Sequence, residues 1–159
     1  MRLDVHTLKM KLMKNSTYLP VLFLIALVFA LFVFRYFPLR IFTNAELPMY
    51  LGFLLFIIGT PLILFAEQER HELLSIHESS TCNDFKRGIY KYSRHPGTLG
   101  FMLLFFGFGL FLNSWMVIIC GIIHMIALTI LYIPWVENDT VAICGDSYRE
   151  YQQDVRMWF

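Results

Sequence analysis

Charge is scarce in this sequence. Asp, Glu, Lys and Arg make up 16% of its 159 residues, against about 25% in a typical soluble domain. A soluble domain of this size leaves roughly a third of its unfolded-chain surface exposed and needs polar residues to cover it. The shortage excludes disorder and most soluble enzymes. A basic excess is lacking as well: the net charge is +1, too little to neutralise a phosphate backbone, which excludes nucleic acid as a partner. There are only three cysteines, Cys82, Cys120 and Cys144, with no CxxC pair. Few and odd in number, they argue against a closed disulfide framework and a disulfide-rich secreted scaffold. Internal repeats and low-complexity linkers are absent. What abounds is apolar, at 57% hydrophobic and 17% aromatic, which suits an exterior that meets lipid.

The apolar residues are concentrated in runs. One spans Leu19 to Phe34, edged by Tyr18 and Tyr36, and a second spans Leu47 to Ala66 without a charge. The longest extends from Pro96 to Val136, where the only ionisable candidates are Cys120, His124 and Tyr132. Its forty-one residues would make a helix of about 61 Å, twice a hydrocarbon core of about 30 Å. The run must therefore fold back, and Asn113-Ser114, its only polar pair, marks the turn. The legs are 97–112 and 115–136, the second with Trp115 and Trp135 near its ends as interfacial anchors. Strands would need alternating polarity, which LFLIALVFALFVF lacks. The expectation is an all-α polytopic membrane protein, a single domain over 1–159. It has four transmembrane helices, the last two a hairpin, and a short cytosolic C-terminal helix. Residues 1–81 carry the N-terminal helices and 82–159 the core that bears the chemistry.

Lys9, Lys11 and Lys14 before the first run resemble a signal peptide, but no small-x-small cleavage site follows, so the run is read as a retained helix. With four spans, the amino terminus, the middle loop and the tail share one side and hold 11 of the 13 Lys and Arg residues; only Arg35 and Arg40 fall opposite. The positive-inside rule puts the larger set, both termini and the candidate chemistry, in the cytoplasm.

Gly59-Thr60-Pro61 interrupts the second run and reads as a packing kink. Beyond it, Glu67 to Glu72 turn polar, continuing the helix to a break near Ser79-Ser80-Thr81. His71-Glu72 and His77-Glu78 suggest a metal, but a six-residue interval sets the histidines about 240° apart on a helix, so no metal site is assigned. His124 is either an intramembrane functional group or a neutral histidine bonded to a neighbouring helix. Cys120 reads as a small packing residue. Pro96 suits the first turn of a helix. Arg94 and His95 then stand before its N-terminus, either as an anion site or, with Lys91, as headgroup anchors. In the tail, Gly145 reads as a helix stop. A short helix follows from near Asp146, with Tyr148 and Tyr151 on one face; it is either part of a site or an amphipathic segment lying on the membrane.

Two of these segments taken together, Gly88, Tyr90, Arg94-His95-Pro96 and Gly100, then Glu137, Gly145, Tyr148 and Tyr151, resemble the isoprenylcysteine carboxyl methyltransferase and phospholipid methyltransferase superfamily. The likeness covers about residues 82–156. It implies a membrane methyltransferase that uses S-adenosylmethionine and takes a lipophilic acceptor sideways from membrane lipid. The cofactor-binding positions it implies are Tyr90, Arg94, His95, Pro96, Gly97, Thr98, Gly100, Glu137, Tyr148 and Tyr151; no catalytic base is assigned. Thr98 stands where the family carries tyrosine, Val136 where it carries a first glutamate, Cys144 where it carries phenylalanine. Tyr132 stands where prenylcysteine-specific members carry arginine, which counts against that acceptor. Two rival readings share the module: an NADPH-dependent membrane reductase related to the usually longer sterol reductases, and a non-catalytic membrane protein that keeps the fold.

Overall fold

A computed structural model describes residues 5–76 and 85–158, with side chains over 18–70 and 85–158 apart from Ile143. The described residues fold into six α-helices: α1 (Val5–Tyr36), α2 (Glu46–Ile76), α3 (Pro96–Phe111), α4 (Trp115–Ala127), α5 (Ile133–Cys144) and α6 (Asp146–Asp154). A 3-10 turn, Gly88–Lys91, precedes α3, and a π-helical segment, Leu128–Tyr132, joins α4 to α5 without a break. The only bridge among the described residues is Arg40 with Ser114, so the all-helical reading holds.

Among the described residues, three stretches are long and apolar enough to cross a membrane: Tyr18–Tyr36, Glu46–Arg70 and Trp115–Ala142. They present Leu24, Ile25, Val28, Phe29, Leu54, Ile123 and Ile130 outward, an exterior that lipid, not water, stabilises. The 16 residues of α3 reach only about 24 Å at the helical rise, short of that class. The third stretch runs past its expected end at Val136, so Glu137 lies inside a helix and not at its terminus. The expected break at 79–81, and His77 and Glu78, lie outside the described residues, as do the side chains of His71 and Glu72.

The turn between α3 and α4 falls at Asn113-Ser114, as its polarity demands. Asn113 adopts φ 50°, a left-handed conformation that asparagine tolerates. Its Oδ1 accepts from Ile41 N (3.2 Å) and Phe42 N (2.9 Å), and its Nδ2 donates to Phe42 O (2.8 Å). Ser114 caps α4. The loop after α1 is thereby tied to the hairpin turn, and Trp115 N donates to Leu39 O (3.0 Å). Phe23 and Ala30 of α1, Phe105 of α3 and Val117 of α4 form a buried core.

The tightest helix pair is α2 with α3, where glycines recur at seven-residue spacing on both. A Cβ on Gly52 would fall 2.6 Å from the Gly107 carbonyl oxygen, and one on Gly100 would fall 2.9 Å from that of Gly59. Small residues let backbones approach this closely, and dispersion replaces the missing hydrophobic drive in lipid. The seam sets the height of α3 against α2 and so positions the segment that enters α3. Overpacking it is costly: Gly100→Val is expected to destabilise the purified protein by about 1–3 kcal/mol, read as a lowered thermal unfolding midpoint in mild detergent.

Candidate functional site

Proline at the first position of α3 removes an N–H that has no helical partner there. The preceding residues leave the helix: His95 is its N-cap, at φ −131° and ψ 54°. Backbone outside a helix needs partners, and the tail supplies them. Arg94 N donates to Arg156 O (3.1 Å). Buried Ser93 donates through Oγ to Met157 O (2.9 Å) and accepts from His95 N (3.3 Å).

The tail returns because Gly145, at φ 59° and ψ −130°, ends α5 in a conformation open to glycine and lets α6 fold back. Tyr148, Tyr151 and Val155 bury one face of this segment against Phe85, Val141 and Cys144. Tyr151 stacks on Phe85 (centroids 5.5 Å apart), and Tyr148 meets it edge-on (5.1 Å). Tyr151 Oη donates to Tyr90 O (2.7 Å) and Tyr90 Oη to Ala66 O (3.2 Å), linking α6 through the 3-10 turn to α2. Cys120 is free and packs beside the α1–α3–α4 core.

These elements meet at Glu137, which is 9% exposed. Its Oε1 accepts from His95 Nε2 (2.8 Å) and lies 3.4 Å from Arg94 Nη1; its Oε2 accepts from Gln152 Nε2 (2.8 Å). A buried carboxylate is tolerated only when charged and hydrogen-bonding partners replace water, and two parts of the chain, the entry to α3 and α6, supply them here. Arg94 Nε is buried with no hydrogen-bond partner. The cluster therefore combines a fixed carboxylate, an imidazole and one unspent guanidinium donor beside a helix N-terminus, a set suited to the charged and polar groups of a small anionic or zwitterionic ligand.

Arg94, His95 and Glu137 are thus in direct contact. Tyr148 and Tyr151 lie near enough to Arg94 and Glu137 to feel their charges. Pro96 and Thr98 are buried in the first turn of α3. Gly97 faces Ala66, and Gly100 faces Gly59 and Ile63, so both turn toward α2. Sequence reasoning missed Gln152, Ser93 and Phe85. Gln152 was within reach of it: Tyr148, Tyr151 and Gln152 stand at i, i+3 and i+4, one helical face.

Comparison with known proteins gives one match. A family model described as a protein of unknown function, DUF1295, matches residues 6–155. No curated protein and no solved structure matches.

Burial pushes the phenols of Tyr90, Tyr148 and Tyr151 well above the ordinary tyrosine value. In the unfolded chain they ionise near pH 10. Above that pH the unfolded state has lost protons that the folded state keeps, so stability falls as pH rises. The expected outcome is a plateau up to about pH 10, then a loss of up to about 1.4 kcal/mol per pH unit for each such tyrosine. Denaturation across that range, with phenolate absorbance as the second signal, checks it.

Proposed function

We propose that this chain, which belongs to the DUF1295 family, is an integral membrane methyltransferase that uses S-adenosylmethionine on a lipophilic acceptor. The observation that carries the reading is the convergence of α3's entry, α5 and α6 on Glu137, with Arg94 Nε buried and unpaired beside it. The motifs that resemble membrane methyltransferases are the ones that meet in space.

The residues fit the group. Arg94 Nε is a donor open to a carboxylate, with His95 beside it. Glu137 can exchange its bond to His95 or Gln152 for one from a ribose hydroxyl or an amino group. Tyr148 and Tyr90 offer neutral aromatic faces, and a cation against such a face gains on the order of 1 kcal/mol. Bound S-adenosylmethionine supplies an electrophilic methyl group on a sulfonium. The protein's part is to orient it and to exclude water, and orientation alone can supply about 7–11 kcal/mol. A carboxylate acceptor is already ionised and needs no base in this arrangement; a thiol reacts as its thiolate and, like an amine, must lose a proton.

The same reading takes α3 as a fourth crossing. The hairpin turn and the loop after α1 are tied together at one end of the bundle. The glycine seam runs α3 antiparallel beside α2 toward the other end, where Gly97 meets Ala66. The charge distribution then puts the cluster and both termini in the cytoplasm. A reporter decides: with the native cysteines replaced by serine, Arg149→Cys is expected to react with a membrane-impermeant maleimide only after cells are broken.

A second reading has one observation behind it. Both Glu137 oxygens are already engaged, as a purely structural clasp requires. Calorimetry on the purified protein separates the two. S-adenosylhomocysteine is expected to bind, and His95→Ala and Glu137→Ala each to weaken it about tenfold or more, or 1.4 kcal/mol. Preference for NADPH would favour a reductase, binding of neither would favour the clasp, and unchanged affinity in both variants would remove the assignment of the site.

A further inference from the structure

A second polar cluster lies on the other side of Tyr90, where α2 leaves its apolar stretch. Arg70 engages Glu67 through Nε (3.1 Å) and Nη2. Its Nη1 is buried and has no hydrogen-bond partner, and on the preceding residue Glu69 Oε2 is likewise buried and unpaired. The Glu69 carboxylate lies against the backbone of Gly88, where a side-chain carbon would collide with it. Gly88, at φ 49°, is the residue that lets the chain pass so close. Glu67, Glu69 and Arg70 all act electrostatically on Tyr90, and Arg70 and Glu67 also act on Tyr132 of the π segment. None of this belongs to the Arg94–His95–Glu137 cluster.

Leaving a charged donor and a charged acceptor buried and unpaired is costly. A single ion cannot relieve both. A bare anion on Arg70 would face two carboxylates, and a bare cation on Glu69 would leave Arg70 Nη1 without an acceptor. The ligand must carry both signs in one small head. It must also bring an N–H, because Glu69 Oε2 lacks a hydrogen, so a quaternary ammonium does not serve. The cluster closes the apolar stretch Glu46–Arg70, the level at which headgroups sit if that helix crosses a bilayer.

We infer that the Glu69–Arg70 cluster is a binding site for the headgroup of a zwitterionic membrane lipid, its primary ammonium on Glu69 and its phosphodiester on Arg70. The site does not depend on the Arg94 cluster binding a cofactor.

Native mass spectrometry of the full chain in mild detergent tests this, titrating dioleoylphosphatidylethanolamine, dioleoylphosphatidylcholine, dioleoylphosphatidylglycerol and soluble phosphoethanolamine. The ethanolamine lipid is expected to bind about tenfold tighter than the choline or glycerol lipid. Glu69→Gln and Arg70→Lys are expected to erase that preference, whereas Glu46→Gln, at the far end of α2, keeps it. Should either variant fail to fold, lipid recovered with the wild-type protein is the second measurement, and enrichment of the ethanolamine lipid over its share in the source membrane is the supporting result. Equal affinity for the ethanolamine and choline lipids overturns the site. Phosphoethanolamine binding as tightly as the lipid overturns its assignment to the membrane.

Discussion

A carboxylate in a poorly hydrated place has to be held, and the way Glu137 is held organises this protein. Its two oxygens gather the residue capping α3, the arginine before it and a glutamine from the last helix. Each partner comes from a part of the chain that would otherwise have little reason to be there. The tail closes on α3 because its backbone completes the pairing of Ser93 and Arg94. It stays because Tyr148, Tyr151 and Val155 bury their faces there. Removing any one partner would leave charge unmatched in a low dielectric, where the penalty is largest.

That clasp can form only if α3 arrives at the right height, and its neighbour sets the height. The paired glycines of α2 and α3 admit one close register, because sliding either helix would bring side chains onto backbone. The Asn113 turn fixes the far end by bonding the loop after α1. The same register brings Ala66 against Gly97 and under the Tyr90 hydroxyl. In this way Tyr90 comes to stand between two polar clusters, one on α5 and one at the end of α2.

Much of this was legible in the residues. Apolar run lengths located the helices, because a bilayer of fixed thickness leaves few ways to divide forty-one apolar residues. One polar pair located the hairpin turn, a proline located the start of α3, and a glycine located the end of α5. The motif spacing brought Arg94, His95 and Glu137 forward as candidates. Other features were less visible. The helix carrying Glu137 continues to Cys144, with Glu137 and Thr140 both hydrogen-bonded, which hydropathy does not register. Gly97 and Gly100, read as cofactor positions, both turn toward α2, where the seven-residue glycine spacing was the overlooked signal. Arg70 and Glu69 read only as part of the polar continuation of a helix, since a sequence does not show which charges the fold encloses.

The π-helical segment Leu128–Tyr132 has a geometric consequence. Such a turn accommodates one residue more than an α-turn, so everything beyond it is rotated by about 100° from where an unbroken α-helix would put it. The direction in which Glu137 points is set by that surplus residue. Shortening the chain by one there would let the helix run true and swing the carboxylate around the axis, away from the imidazole. A lineage could therefore dismantle or restore the polar centre by a single codon gained or lost in a stretch that never touches it.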